Sequence, residues 1–360
     1  MNRSPGLVKV LERRVRAHLQ RLRISAIAAA QRQDLRTRAV RAAKTGLRHV
    51  LENPPPLKVD LDPTMPFAHD AVLSREGKGV VVSLSAHNPA LTAIYGPPRL
   101  AAYLYWLLHC DEEVRRISVT LSDGDRASGA IFSPSTFLPD VVAVPDPIFF
   151  NTRGYRRERT MGIYSGIPWD ERSNDLVWRG GMNSPNSFDP EMAGARPHYA
   201  AQRLLACLAL RDVPGTDVKF VRPNQPETAA AAYRTLAIEG EWLAPHTWLG
   251  RKFALDIDGH SNAWANFFTR LLFGCCVLKV ASRYGYRQWY YDRLQPWKHF
   301  VPLAADLSDL AEKLDWVKRN DAACRDIAQH GRAVAMALTL DVARDEAAAL
   351  IGANWQRRRG

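Results

Sequence analysis

The sequence predicts an α/β protein of two Rossmann-like domains that face each other across a cleft, with a basic N-terminal helical arm. Strand and helix signals alternate from about residue 80, are interrupted over residues 151–174, and then restart, which is typical of parallel sheets with crossover helices. Residues 1–50 carry 13 Lys and Arg but two acids, whereas the remaining chain is nearly neutral. Two facing halves would bind a ligand in the cleft between them.

The composition is that of a globular protein. Of 360 residues, 46% are hydrophobic and 24% are charged, which is ordinary for a soluble domain. The five cysteines form no C-x-x-C pair, so we expect buried, reduced thiols and a cytoplasmic protein. No apolar run approaches the roughly 18 residues of a membrane span, and no signal peptide is recognisable.

The arm, residues 1–53, has a helical apolar stripe flanked by arginines. The stripe comprises Leu7, Leu11, Val15 and Leu19. Such a helix can lie on an anionic membrane surface, pack on its own protein, or bind nucleic acid. The arm has no aromatic residue to stack on a base, so no nucleic acid is expected. Pro54 to Pro56 then break the helix.

The first domain, residues 54–165, is assigned from alternating apolar segments. Strands are predicted over 80–84, 117–121 and 141–144, and a helix over 100–110.

The second domain, residues 166–337, repeats the pattern, and residues 338–360 form a C-terminal helix. Strands are predicted over 176–178, 218–221, 252–257 and 275–280, and helices over 198–210, 263–273 and 306–319.

Two segments of the second domain could bind phosphate. Residues 258–262, Asp-Gly-His-Ser-Asn, lie between a strand and a helix, where backbone N–H groups at a helix start can bind a diphosphate. Arg179, followed by Gly180 and Gly181, lies at the end of another strand, where its guanidinium could neutralise a departing phosphate. Both patterns also occur at ordinary turns.

The first domain contributes Asp123-Gly124-Asp125 at a strand end. A carboxylate there could be a general base on an acceptor hydroxyl. The D-x-D spacing could instead hold Mg or Mn, or the segment could be a polar turn. A fourth candidate is the aromatic cluster Trp289 to Tyr291 with His299, which fits a sugar or base platform or a buried core.

The second domain resembles glycosyltransferase family 90. The resemblance lies in Trp178-Arg-Gly180, in Lys252 to Gly259, in Leu271 to Lys279, and in Trp289 to Pro302, in this order and over about residues 115–335. It implies a GT-B fold, a UDP-sugar as co-substrate, inversion at the anomeric carbon and no metal cofactor.

The resemblance also implies site residues. It makes Asp123 the base, with Asp125 as the fallback, and residues 145–150 a cleft lining. The donor site would comprise Arg179, Gly180, Gly181, Lys252, Asp258, Gly259, Ser261, Asn262 and Asn266. Animal members carry Arg where this chain has Asn266, so either Arg251 or Lys252 supplies the missing charge or the donor contacts differ.

The expected activity is transfer of a glucose- or xylose-type sugar from a UDP-sugar to a hydroxyl acceptor. As in bacterial members, the acceptor would be a glycan or a lipid-linked saccharide of lipopolysaccharide or another surface glycan. The protein would act in the cytoplasm, on the inner face of the plasma membrane through residues 5–50. The alternatives are a non-catalytic UDP-sugar-binding relative and a protein that binds nucleic acid through the arm.

Overall fold

The computed structural model describes residues 36–86, 96–124, 128–181, 202–221 and 227–357. Most of the basic arm and Asp125 therefore lie outside the described residues. Within them, two β-sheets with flanking helices confirm the predicted pair of α/β domains.

The first sheet has six strands in the order β1-β3-β2-β4-β5-β6. They are β1 Leu57–Asp62, β2 Asp70–Glu76, β3 Gly79–Ser85, β4 Arg116–Thr120, β5 Phe132–Ser133 and β6 Val142–Ala143. β2 is antiparallel to β3 and β4, whereas the other pairings are parallel. The prediction of a parallel sheet is thus wrong for β2, because a two-residue turn with Gly77 at φ +54° folds β2 directly back onto β3.

Helices cover both sheets. In chain order they are α1 over 36–48, α2 Gly96–Leu108, α3 Pro147–Asn151, α4 Arg156–Tyr164, α5 Gln202–Leu210, α6 Glu227–Thr235, α7 Asn266–Leu272, α8 Leu310–Arg319, α9 Asp321–Ala337 and α10 Leu340–Asn354. None of those in the described part of the chain is long and apolar enough to cross a membrane.

The described end of the arm packs on the protein itself. Ala39, Ala43 and Leu47, spaced by four along α1, are buried in the core of the first domain. Of the three interpretations of the arm, packing on its own protein therefore holds for residues 36–48.

The second sheet is parallel, in the order β11-β10-β9-β7-β8. Its strands are β7 Ser173–Gly180, β8 Thr216–Phe220, β9 Arg251–Asp256, β10 Cys276–Val280 and β11 Val301–Leu303. The chain adds β8 on one side of β7 and β9 on the other, so the winding direction reverses between β7 and β9. Ligands of doubly wound sheets bind at the carboxyl ends of strands at such a switch point.

Helices join the two domains. α3 and α4 connect the sheets, and α10 returns to the first domain, where Ala347 and Ile351 enter its core. Arg159 of α4 donates hydrogen bonds to the carbonyls of Ala335 and Met336 at the end of α9. The seam is therefore held by guanidinium contacts with the last turn of a helix, where the carbonyls have no partner within the helix.

The aromatic cluster of the second domain is core, not a platform. Trp289 and Tyr290 are buried against the rings of Phe149 and Phe268. His299 is also buried, and its Nδ1 accepts a hydrogen bond from the backbone N–H of Gln295.

Candidate active site

A cavity of about 800 Å³ lies between the two sheets, at the switch point of the second. This volume is typical of sites for ligands of nucleotide size. The first domain contributes Arg99, Asp123, Pro147, Ile148 and Asn151, and the second contributes Gly180, Gly181, Arg203 and residues 260–266. The cavity thus brings together Asp123, on one wall, with five of the predicted donor-site residues, on the other: Gly180, Gly181, Ser261, Asn262 and Asn266.

The end of β7 requires a glycine. A Cβ on Gly180 would lie 2.3 Å from Cζ2 of the Trp178 indole, which folds back over this position. The other face of the strand carries Arg179, whose Nη2 is 2.6 Å from Asp217 Oδ2 and whose Nε donates to the carbonyl of Glu241. Side-chain alternation along β7 places Arg179 on the opposite face of the sheet from Trp178 and Gly180. There it pairs with Asp217 of β8 and does not line the cavity.

The arginine that does line the second-domain wall is Arg203 of α5. Its guanidinium is buried and donates to the carbonyls of Gly181 at 2.8 Å, Asp258 at 2.9 Å and Ile257 at 3.1 Å. Burial lowers its pKa, and the nearby carboxylates of Asp256 and Asp258 oppose that shift. Arg203 therefore joins the loops that follow β7 and β9 and brings a cation to the switch point.

The helix that follows β9 begins later than predicted. α7 starts at Asn266, not at residue 263, and is seven residues long. Ser261 and Asn262 are therefore loop residues, and a diphosphate would meet them and Arg203 rather than the first turn of a long helix. Gly259 belongs to the same loop but does not line the cavity.

Asp258 stabilises this loop. Its Oδ1 lies 2.9 Å from Nζ of Lys279, which is also 2.8 Å from Asp256. Burial lowers the pKa of Lys279, but the two carboxylates outweigh it, so the net shift is upward. Asp258 also accepts from Nδ2 of Asn262 at 3.3 Å, so it orients a residue of the wall instead of lining the cavity.

Asn262 connects the two walls. Its Oδ1 accepts a hydrogen bond of 2.6 Å from Ser135 Oγ of the first domain, and its Nδ2 donates to the carbonyl of Tyr286. The Tyr286 hydroxyl in turn donates to the carbonyl of Gly124. Gly124 has φ +99°, and a Cβ there would lie 2.2 Å from the Ser135 carbonyl oxygen. The loop of Asn262 and the loop of Asp123 are therefore fixed relative to each other.

Asp123 is paired with a cation that sequence reasoning missed. Arg99 Nη2 lies 2.6 Å from Asp123 Oδ1, and its Nη1 donates to the carbonyl of Leu121. The same guanidinium lies over the indole of Trp264, 4.9 Å from its centre. Arg99 thus fixes the position of the Asp123 carboxylate in the cavity wall.

Lys252 lies away from the cavity. Its Nζ is 2.8 Å from Asp321 Oδ1 and 5.5 Å from the centre of the Trp169 ring. Arg251 donates to the carbonyl of Thr247. Neither residue therefore supplies a charge in place of the family arginine at Asn266. Arg270, one helical turn after Asn266, is buried, with its Nη2 3.4 Å from Asn266 Oδ1.

Two of the missed residues had a signal in the sequence. Arg203 is the one charged residue in the apolar helix α5, and Lys279 interrupts the apolar strand β10. A charge on an otherwise buried element must be paired, and pairing clusters at functional sites. A third missed residue, Arg99, has the same signal, because it is the one charged residue in the apolar helix α2.

Within the described residues, no three His, Cys, Asp or Glu side chains gather in a metal-binding arrangement. Asp125 lies outside those residues, so the absence of a metal cofactor stays a prediction.

Comparison with known proteins gives one family. The model of glycosyl transferase family 90 matches residues 163–345. Human protein O-glucosyltransferase 3 is 39% identical over 85 residues, 23% of this chain and 16% of that protein. Rat protein O-glucosyltransferase 1 is 25% identical over 175 residues, 49% of this chain and 40% of that protein. The chain thus spans less than half the length of these relatives.

Among solved structures, the Anabaena protein HepE in complex with UDP and glucose is similar. The TM-score is 0.34, with 10% identity, over 54% of this chain and 52% of that one.

Proposed function

The chain belongs to glycosyl transferase family 90, and on this premise we propose that it transfers a glucose- or xylose-type sugar from a UDP-sugar to a hydroxyl acceptor, with inversion. One observation carries the proposal. The switch-point cavity has a cation and small residues on the donor-side wall, and a carboxyl group, that of Asp123, on the opposite wall. Transfer by direct displacement needs these two groups on opposite sides of the reacting carbon.

The donor would bind the second domain. Gly180 and Gly181 leave space for its diphosphate beside the loop of Ser261 and Asn262, and Arg203 brings positive charge to the same wall. As the bond between the sugar and the diphosphate breaks, negative charge grows on the leaving phosphate. A buried guanidinium stabilises that charge more than an exposed one because the surrounding dielectric is low.

The acceptor would bind against the first domain. Asp123 Oδ1 is held by Arg99, so Oδ2 is the oxygen that would accept the proton of the attacking hydroxyl. The oxygen then attacks the anomeric carbon from the face opposite the leaving UDP, which inverts that centre. Residues 147–151 of the cavity wall would contact the acceptor.

The remaining details of the proposal rest on the family resemblance. They are a lipid-linked saccharide or other glycan acceptor, a role in lipopolysaccharide or surface-glycan synthesis, activity without metal, and action in the cytoplasm at the inner membrane face, with residues 5–35 on anionic lipid. The high positive charge of residues 1–50 supports the membrane contact.

The first test is a thermal-shift screen in EDTA against UDP, ADP, GDP and CMP, followed by UDP-sugars. A ligand that binds only the native state raises the unfolding temperature, so a selective shift by UDP is expected. Release of UDP from the best UDP-sugar in the presence of saccharide acceptors then measures transfer. An equal response to all four nucleotides, or no response with or without Mn, would refute the donor site.

A second candidate is a relative that binds a UDP-sugar without transferring it. The ion pair of Arg99 with Asp123 favours it, because this pair engages the only carboxylate among the cavity-lining residues of the described chain. Both candidates predict that UDP raises the unfolding temperature. Only the transferase should release UDP from a UDP-sugar at a rate that depends on an acceptor.

A further inference from the structure

A second cavity, of about 360 Å³, lies at the other end of α7. α7 begins at the active-site cavity with Asn266, and the residues that follow its last turn, Phe273 and Gly274, line the second cavity. Its seven residues span roughly 10 Å. The second cavity therefore opens on the opposite edge of the sheet from the active site.

The polar lining of this cavity is cationic. Arg172, Arg325 and Arg332 line it, and none of the other described residues in its lining is acidic. Arg172 and Arg332 each donate to carbonyls at the end of α7, namely Gly274 at 2.7 Å and Leu272 at 3.3 Å. Burial lowers the pKa of Arg172, and the charge of Arg332 adds to that shift. Two guanidinium groups thus lie close together, an arrangement that an anion would stabilise.

Helix capping explains only part of this charge. Arg325 projects from α9, 48% exposed, and its nearest acidic atom is Asp170 Oδ2 at 3.7 Å, on a side chain that is 75% exposed. A pair this exposed contributes little to stability. Arg325 can therefore give up its contact with Asp170 and bind a phosphate group instead. A guanidinium group binds phosphate in a planar, bidentate geometry.

The rim of the cavity is apolar and open to solvent. Ile163 is 55% exposed, Tyr164 82% and Ile167 38%, and Ile163 and Ile167 also line the cavity. On α4, exposed Arg156 and Arg157 lie seven residues, or about two turns, before Ile163 and Tyr164, and so on the same faces. One surface therefore presents large apolar side chains beside several arginines.

We infer that this surface, comprising α4, Ile167 and the arginine-lined cavity, docks on a membrane of anionic phospholipid. Ile163, Tyr164 and Ile167 enter the interface, and the cavity arginines bind lipid phosphate groups. A tyrosine with an exposed ring and neighbouring cations is the composition that interfacial anchors use. The surface differs from the basic arm, and its docking does not depend on the proposed sugar transfer.

Hydrogen exchange of the full chain tests the location of the contact. The protein is mixed with vesicles of phosphatidylcholine alone, or with phosphatidylglycerol added, and without any sugar nucleotide. With anionic vesicles, amides of residues 160–168 and 323–332 should become protected from exchange. Protection confined to residues 5–50, or none, would overturn the proposal. The outcome of the vesicle experiment does not depend on the donor site, so the docking proposal and the proposed sugar transfer can fail separately.

Substitutions test which side chains contact the membrane. Ile163→Ser with Tyr164→Ser removes exposed apolar side chains and should weaken vesicle partitioning at least ~10-fold. Arg325→Gln should weaken it about fivefold, as expected for one cation near an anionic surface. The matched controls are Tyr284→Ser and Arg287→Gln. Both positions are exposed, but they follow β10, whereas Gly274 precedes it, so they lie on the opposite edge of the sheet.

The controls should bind vesicles as the unchanged protein does. Equal binding by the Ile163→Ser/Tyr164→Ser protein would exclude the apolar rim from the contact. Inorganic phosphate could instead raise the unfolding temperature of the unchanged protein but not that of Arg325→Gln, while both proteins bind vesicles equally. That result would show that the cavity binds a soluble anion instead of lipid, and it would likewise overturn the proposal.

Discussion

Asp123 is held in the cleft by Arg99, which lies 24 residues earlier in the chain. The ion pair has two effects on the carboxylate. It fixes the position of the carboxylate, and it engages Oδ1, which leaves Oδ2 for an acceptor. A single residue pair thus sets both the position and the direction of the proposed base.

Replacement of that carboxylate tests its role. Asp123→Asn should lower acceptor-dependent UDP release at least ~100-fold, because the amide cannot take a proton, while the thermal shift by UDP persists. Asp212→Asn, at an exposed carboxylate beside Arg211, is the control. Full turnover by Asp123→Asn would contradict the assignment.

A second single residue with a defined role is Asp146, whose carboxyl group caps α3 from within the core. Its Oδ1 accepts from the N–H groups of Ile148 and Phe149. Burial raises its pKa to about 6, and these hydrogen bonds only partly oppose the shift. In the native state the carboxyl therefore keeps its proton at pH values where the unfolded chain has lost it.

The free energy of unfolding should reflect this shift. Stability from Asp146 is full below about pH 4 and is lost as pH rises toward about 6, by roughly 3 kcal/mol for a two-unit shift. Asp146→Asn keeps a capping side chain and has no proton to lose. Its stability relative to the wild type should therefore rise between pH 4 and 6, as measured by urea unfolding. A constant difference would contradict the prediction.

At the scale of elements, the ends of β7 and β9 form the second-domain wall of the cavity because α5 joins them. Arg203 donates to carbonyls of both loops and lies 5.4 Å from the ring of Trp178. The same ring occupies the space above Gly180. One glycine therefore permits the stacking that positions the buried guanidinium.

Gly180→Ala tests that packing. The added methyl group meets the Trp178 ring, so we expect a loss of about 1–3 kcal/mol in the free energy of unfolding and weaker UDP binding. Gly352→Ala is the matched control, because a Cβ there meets nothing within 4 Å. In the helix α10 it should stabilise the protein by about 0.5–1 kcal/mol. Equal effects of the two changes would refute the argument.

At the scale of the whole molecule, contacts of two kinds hold the domains together. One is the seam, where Arg159 of α4 binds the last carbonyls of α9. The other crosses the cleft, where Ser135 donates to Asn262 at 2.6 Å. The first sets how the domains are joined, and the second sets the spacing of the two cavity walls.

Arg159→Lys should destabilise the protein by about 1–3 kcal/mol, because a single ammonium group cannot serve carbonyls that the guanidinium fork reaches together. Arg156→Lys, on the exposed face of the same helix, should change the free energy of unfolding by less than about 0.5 kcal/mol. Equal losses in the two variants would exclude the capping role.

The cross-cleft bond predicts coupling. Ser135→Ala and Asn262→Ala each leave a buried partner unsatisfied, so the double variant should lose at least ~1 kcal/mol less than the sum of the single losses. The exposed pair Ser173 and Asp175, whose side chains are also hydrogen-bonded, should be additive in Ser173→Ala and Asp175→Asn. Additivity at Ser135 and Asn262 would show that the bond does not join the domains in solution.

The sequence by itself determined the two α/β domains and the two loops of the second-domain wall. Strand and helix periodicity and the glycines at Gly180 and Gly181 are local properties of the chain, set by side-chain burial and by backbone sterics. The family match then follows from the order of these same segments.

Only the tertiary structure decided which charges face the cavity. Arg179 and Lys252 follow the local pattern of ligand contacts, yet Asp217 and Asp321 neutralise them elsewhere. Arg203 and Arg99 reach the site instead, from helices distant in sequence. A charged side chain lies where a counter-charge or a set of carbonyls compensates its desolvation, and such partners are known only when the chain is folded.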